Sequence, residues 1–302
     1  HGRGHLVPPS ELNFRANIDA LKRAGCTEII SVSAVGSLKE ELTPGTFLIV
    51  DQFIDRTRGR RSTFFGDGVV AHISFADPFC AVLSELTAEC AERAGATVHR
   101  GGTYVCMEGP AFSTRAESEL YRSWGADVIG MTNLQEAKLA REAEICYATV
   151  AMSTDYDCWH EGHDDVTVDQ VIETLNANAD QAKALVVDAV GRMSLEPACS
   201  CGTSLQSAIL TPRDSLPTAA CERLAPILGR VLPGNFGIGA MLDYNLSLAL
   251  TRIDRISSLA DAGFGKYVTL SVQDDMNSLL VASEGTRIER FLEIMRRSAF
   301  KG

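Results

Sequence analysis

The chain has 302 residues, 45% of them hydrophobic, with 28 basic and 39 acidic side chains and a net charge of -11. That is enough apolar material for one large core or two modest ones, and the negative field repels a nucleic-acid backbone, so a small-molecule partner is expected and nucleic acid is not. No apolar run reaches the roughly 18 residues of a membrane helix, and the opening HGRGHLVPPS lacks the charged start and apolar middle of a secretory signal; the expectation is a cytoplasmic protein without a membrane partner.

From residue 10 to about 190 helix-like and strand-like segments alternate, an α/β rhythm in which the strands are too apolar to be anything but interior strands of a covered sheet. Ser10 is expected to cap a helix with Phe14, Ile18 and Leu21 on one face and Gly25 at its end. EIISVSA and FLIVDQF read as buried strands separated by the turn TPG, and a helix is expected from about Pro78 to Gly95. After a strand-like ATVHRGGTYVCM, Thr114 with Glu117 and Asn133 with Glu136 have the spacing of capping boxes, each opening a helix. The strands DVIGM and EICYATVAM alternate with them, and Thr167 with Gln170 caps a long helix. Beyond about residue 233 the pattern changes: PGNFGIG introduces a second unit, with a helix around Leu246 to Leu259, a strand KYVTLSV and a closing helix TRIERFLEIMRRS. The expected division is therefore 1–233 and an α+β extension, 234–302.

The chemistry concentrates at strand ends. In open α/β sheets ligands bind beyond the carboxyl ends of the strands, where Asp155 and Asp157 of TDYD fall. If the backbone stays extended, residues one apart project to the same side and offer two acceptors to a heterocycle with adjacent N–H groups. The competing reading is that they cap the next turn. A carboxyl in a partly apolar pocket has a raised pKa and could also donate a proton to a leaving ring nitrogen. SAVGSL and MTN, each after a strand, could hold an anion or simply form tight turns. His1 and His5 with Arg3 resemble an anion clamp; His160 and His163 lack a third metal ligand and read as a solvated loop. The nine cysteines are scattered and mostly apolar in setting. Cys199 and Cys201 form a C-x-C with no second cysteine or histidine pair nearby in sequence, which favours a surface loop over a redox pair or half of a metal site.

Seven ordered motifs then converge: HGRGH with PPSELNFRANIDALKRAG, SAVGSLKEEL, DQFIDRT, AHISFADPFC, EGPAFSTRAES, GADVIGMTN with EAKLAREAEICYA, and TDYDCW. Over residues 1 to about 233 they resemble the S-methyl-5'-thioadenosine phosphorylases of the trimeric purine nucleoside phosphorylase superfamily. The resemblance implies a mixed central sheet flanked by helices, and phosphorolysis of methylthioadenosine to adenine and methylthioribose 1-phosphate, a salvage step. It implies that His1, Ser33, Ala34 and Thr132 hold phosphate, that Ile129 and Met131 line the nucleoside site, with Met131 against the ribose, and that Phe112 lies against the purine. Asp155 would protonate N7 and Asp157 would meet the adenine edge. Val168, Val171 and Ile172 would line a methylthio pocket, and His72 would reach a neighbouring subunit's site in a homotrimer. No metal or organic cofactor is implied; inorganic phosphate is a co-substrate. The family's opening strands, glycine-rich loop and arginine precede the first matched motif and have no counterpart here, and some relatives carry a polar residue where this chain has Gly130. Two alternatives follow: a 6-oxopurine phosphorylase acting on methylthioinosine or inosine, which an amide at the base edge would favour, and a catalytically weak nucleoside-binding or assembly protein.

Overall fold

A computed structural model describes residues 6–160, 168–194, 198–232, 268–270 and 279–281. Its first helix, α1 (Phe14–Arg23), begins later than Ser10: Pro9–Glu11 form a 3-10 turn, and Asn13 caps α1 by accepting from the Ala16 amide at 3.0 Å. Leu12 is extended, with φ -60° and ψ 129°, so the chain leaves the helical region after the turn and re-enters it only at the Asn13 cap. Phe14, Ile18 and Leu21 are buried as expected, and Gly25 follows with φ 82°.

The centre of the molecule is a pair of ten-residue strands, β1 (Glu28–Ser37) and β7 (Cys146–Asp155), running parallel from Glu28 opposite Cys146 to Gly36 opposite Asp155, with a register shift between Val35 and Gly36. Around them lie β2 (Phe47–Ile49), β3 (Gln52–Arg56), β4 (Val98–Arg100), β5 (Thr103–Met107) and β6 (Val128–Gly130), in the order β3-β5-β6-β1-β7-β2-β4. The sheet is mixed: β6 runs antiparallel to β1, and β2 antiparallel to β7.

Both central strands are covered on two faces. Alternation sends Ile30, Val32 and Ala34 of β1 and Cys146, Ala148, Val150 and Met152 of β7 into the core shared with α2 (Ala81–Arg93) and α5 (Val168–Arg192). Ile29, Val35, Tyr147 and Ala151 face the other core, with α1, α4 (Asn133–Glu142) and α6 (Thr218–Leu228). Burial on both faces is why these strands read as unbroken apolar runs.

Two expected strands divide. FLIVDQF becomes β2 and β3, and ATVHRGGTYVCM becomes β4 and β5; the pairs β2 with β4 and β3 with β5 are each parallel. Asp51 and Gln52 both donate their amides to Gly102 O, and Asp51 Oδ1 accepts the Gly102 amide at 3.0 Å. Gly101 and Gly102 have φ 77° and 158°, and a Cβ on Gly101 would stand 2.9 Å from Asp51 Oδ2. The two chains thus leave one neighbourhood for another together. Because β3 is an edge strand and β2 lies next to the opposite edge, a two-residue link requires the sheet to curl until those parts approach.

The Thr114–Glu117 capping box forms, opening α3 (Arg115–Ser123). The Asn133–Glu136 box does not. Asn133 instead donates to Thr149 Oγ1 at 3.1 Å, and Glu136 Oε2 accepts from the Tyr147 hydroxyl at 2.7 Å; partners within the sheet replace the local cap. In the C-terminal stretch β8 (Val268–Leu270) pairs antiparallel with β9 (Leu279–Val281), the former within the expected KYVTLSV strand. The two helices expected there, and the Thr167–Gln170 cap, lie outside the described residues. No helix among the described residues is long and apolar enough to cross a membrane.

Candidate active site

Asp155 is the last residue of β7, beside Gly36 of β1. A Cβ on Gly36 would stand 3.0 Å from Asp155 Oδ1, 3.2 Å from Ile129 Cγ2 and 3.3 Å from Asp157 Cβ, so the glycine is what lets the two acids and Ile129 meet at this strand end. The backbone does not stay extended through the pair. Asp157 has φ 52°, and its amide donates to Asp155 Oδ1 at 2.8 Å while Thr154 Oγ1 donates to Asp155 Oδ2 at 2.7 Å. Asp155 therefore closes a local Asx turn as well as occupying the crevice; the capping and the ligand readings are both compatible with this geometry.

The electrostatics separate Asp155 from an ordinary cap. Burial pushes its carboxyl up to about 6 against the two hydrogen bonds that stabilise the anion, and the Asp157 charge pushes the same way. Asp157 is also raised by burial, with the hydroxyl of Ser118 opposing the shift. Its Oδ2 is buried and makes no hydrogen bond of ordinary geometry.

Aromatic side chains pin the turn that follows. Trp159 Nε1 donates to Ser37 O at 2.8 Å and lies under the Arg122 guanidinium, 3.5 Å from its ring centre; Tyr156 stacks on His160, which bonds Glu40 Oε1 at 3.0 Å. His160 is thus held by Glu40; His163, read with it as part of a solvated loop, lies outside the described residues. The 109–114 loop is drawn to the same place, because Cys158 Sγ donates to Ser113 O and Arg115 Nη1 to Cys158 O. This loop carries Phe112, an aromatic 51% exposed, where a flat apolar ligand could cover it.

β6 runs into Met131 and Thr132. A Cβ on Gly109 would fall 2.5 Å from Met131 Sδ, and one on Gly130 would fall 2.0 Å from the Tyr104 hydroxyl. Glycine at 130 is therefore dictated by the buried Tyr104. Thr132 is buried at the start of α4, whose N-terminus no side-chain cap closes; such a terminus favours an anion. Ser33 and Ala34 are buried on β1, with Ala34 opposite Met152 of β7. His72 is exposed, its amide bonded to Ala208 O at 2.8 Å. His1 and the side chains of Val168, Val171 and Ile172 lie outside the described residues.

One site-supporting residue had no signal in sequence. Arg60 is one of four arginines in RTRGRR, yet it alone is fully enclosed: its side chain is 1% exposed, pairs with Glu108 at 3.1 Å, and donates to Gln135 Oε1, Met107 O, Glu108 O and Met131 O. It fastens the ends of β5 and β6 and the first turn of α4 to one another. Only side-chain burial distinguishes it from Arg56, Arg58 and Arg61.

Close by, Glu142 of α4 accepts from Thr63 Oγ1 at 2.6 Å and the Phe64 amide at 2.7 Å, and burial pushes it up to about 7 from an ordinary 4.5. Between those values the folded chain keeps a proton that the unfolded chain has released, so this contribution to stability is lost as pH rises through the window, by about 3 kcal/mol in full. Glu142→Gln is expected to flatten the fall in unfolding free energy across that range by about this amount. Urea titrations of both proteins at several pH values check it; parallel profiles would remove Glu142 as the cause.

The chain matches the Phosphorylase superfamily over residues 1–191, and belongs to it. Within the superfamily it is 60% identical to the S-methyl-5'-thioadenosine phosphorylase of Geobacter sulfurreducens over 230 residues, 76% of this chain and 80% of that protein. It is 59% identical to the Koribacter versatilis protein of the same name, over 76% and 79%. Among solved structures it is similar to a methylthioadenosine phosphorylase from an antarctic soil metagenomic library, with TM-score 0.72 and 49% identity over 76% of this chain and 81% of the other. A Schistosoma mansoni methylthioadenosine phosphorylase in complex with adenine matches at TM-score 0.67 and 36% identity, over 70% and 82%.

Proposed function

We propose that this chain catalyses phosphorolysis of S-methyl-5'-thioadenosine, releasing adenine and 5-methylthioribose 1-phosphate. The observation that carries the reading is Asp155, a carboxyl raised to about 6 at a strand end beside a second buried acid, in a chain 60% identical to a protein of that name. The glycosidic bond breaks through a cationic, oxocarbenium-like sugar. Asp155 donates its proton to the purine N7 as negative charge builds on the leaving base, and phosphate stabilises the sugar cation from the other side.

Thr132, at the uncapped α4 terminus, with Ser33, Ala34 and His1, holds the phosphate. Met131 and Ile129 line the nucleoside, Phe112 lies on the purine, and Asp157 accepts from its 6-amino edge. Val168, Val171 and Ile172 line the methylthio pocket, where a free 5'-hydroxyl would lack partners. His72, exposed in the single chain, belongs to the neighbouring subunit's site in a cytoplasmic homotrimer. The protein's own groups and co-substrate phosphate supply the chemistry, without an organic cofactor.

Adenine release from methylthioadenosine, followed by chromatography with and without phosphate, tests the reading. Strictly phosphate-dependent release of adenine and a sugar phosphate is expected. Binding without turnover would instead support the nucleoside-binding alternative, and turnover confined to methylthioinosine would support the 6-oxopurine one.

A further inference from the structure

Cys199 and Cys201 do not form the exposed loop expected from sequence. Cys201 is buried and Cys199 half-buried, and both meet two cysteines from distant parts of the chain. Cys80 is the residue on which α2 begins, its amide held by Tyr147 O at 2.9 Å, and Cys146 is the first residue of β7. The four Sγ atoms lie within 4.8 Å of one another, with Cys146 and Cys199 3.4 Å apart.

Buried thiols usually act as small hydrophobes, and five other cysteines in this chain are free thiols outside the cluster. Ordinary packing does not require four sulfurs from three separate segments to converge on one point. A tetrahedral zinc ion does: with Zn–S bonds of about 2.3 Å the sulfurs stand about 3.8 Å apart, a spacing these four bracket. A polynuclear iron–sulfur cluster would interpose several metal atoms and spread its ligands farther. We propose that Cys80, Cys146, Cys199 and Cys201 bind one zinc ion as a structural site.

Four protein ligands leave no open position, so the ion supplies stability and not chemistry. Its place agrees: Cys146 and Asp155 are the two ends of one ten-residue strand, roughly 30 Å apart at strand rise. The ion ties the 198–209 segment to the sheet and to α2. That segment in turn supports the residues before α2: Ala71 bridges to Ile209, and the His72 amide is bonded to Ala208 O. On binding, each thiol becomes a thiolate and releases its proton to solvent, with no change of oxidation state.

The test expresses the whole chain with zinc supplied, purifies it under reductant, and measures metal by inductively coupled plasma mass spectrometry beside Cys199→Ser/Cys201→Ser and the control Cys221→Ser. One zinc per chain in the parent and control, at least tenfold less in the double variant, and a lowered midpoint of thermal unfolding after chelation are expected. Cobalt substituted into the parent should show the intense thiolate charge transfer and tetrahedral bands of four sulfur ligands. Should the double variant fail to fold, Cys199→His preserves a ligand and is expected to keep the metal with an altered cobalt spectrum. The proposal is overturned by a reduced chain that takes up no zinc, by equal zinc in a folded double variant, by an unchanged spectrum in Cys199→His, or by an intact mass showing these cysteines paired as disulfides in freshly prepared protein.

Discussion

Asp155→Asn is expected to lower kcat/KM for methylthioadenosine by about 10²–10⁴-fold, the usual worth of a positioned general acid. Asparagine is nearly isosteric and can still accept the Asp157 amide through Oδ1, so the turn should persist. What it cannot do is donate a carboxyl proton. The sign of the pH dependence follows: a general acid acts while protonated, so the parent's kcat/KM should fall as pH rises above about 6, and this limb should vanish in the variant. Asp157→Asn provides the contrast. Its effect should fall on KM and on the choice between 6-amino and 6-oxo purines, because an amide can present a donor where the carboxylate only accepts. Steady-state kinetics across pH decide the matter; a loss under tenfold in Asp155→Asn with the limb intact would show that another group protonates the base.

Arg60→Ala is expected to cost about 3–5 kcal/mol of stability, the range for removing one member of a buried ion pair, in a protein whose whole margin is of order 5–15 kcal/mol. The guanidinium satisfies Glu108 and three carbonyl groups at once, and alanine would leave these acceptors without it in a tight space. Lysine should not rescue it. A single ammonium cannot reproduce a planar fork spread across Met107, Glu108, Met131 and Gln135. Because Met131 is fixed partly by this fork and partly by its contact with Gly109, kcat/KM should also fall at temperatures where the variant is folded. Urea unfolding measures the first effect and kinetics the second. Stability within about 1 kcal/mol of the parent would mean that solvent reaches the arginine pocket.

Much of the local structure was legible because it depends on short-range chemistry. Thr114 and Glu117 face one another across one helical turn, so their box forms wherever that helix starts. The same pattern at Asn133 and Glu136 failed because Thr149, Ser31 and Tyr147, remote in sequence, offered buried partners that outweighed an exposed cap. The split of FLIVDQF is another failure of the same kind. Its apolar pattern states that each residue is covered, but not where a strand leaves β4 for the neighbourhood of β5.

The sequence by itself determined the family, the alternation of buried strands and helices, and the position of Asp155 and Asp157 at a strand's carboxyl end. Each is a matter of order along the chain, or of patterns a few residues wide. Only the tertiary structure decided which of four neighbouring arginines is enclosed, why residues 36 and 130 must be glycine, and that Cys80 and Cys146 meet the C-x-C. Desolvation and close approach between segments tens of residues apart create those properties; the Asp155 carboxyl is raised by what surrounds it in the crevice, beyond anything its neighbours in TDYD express.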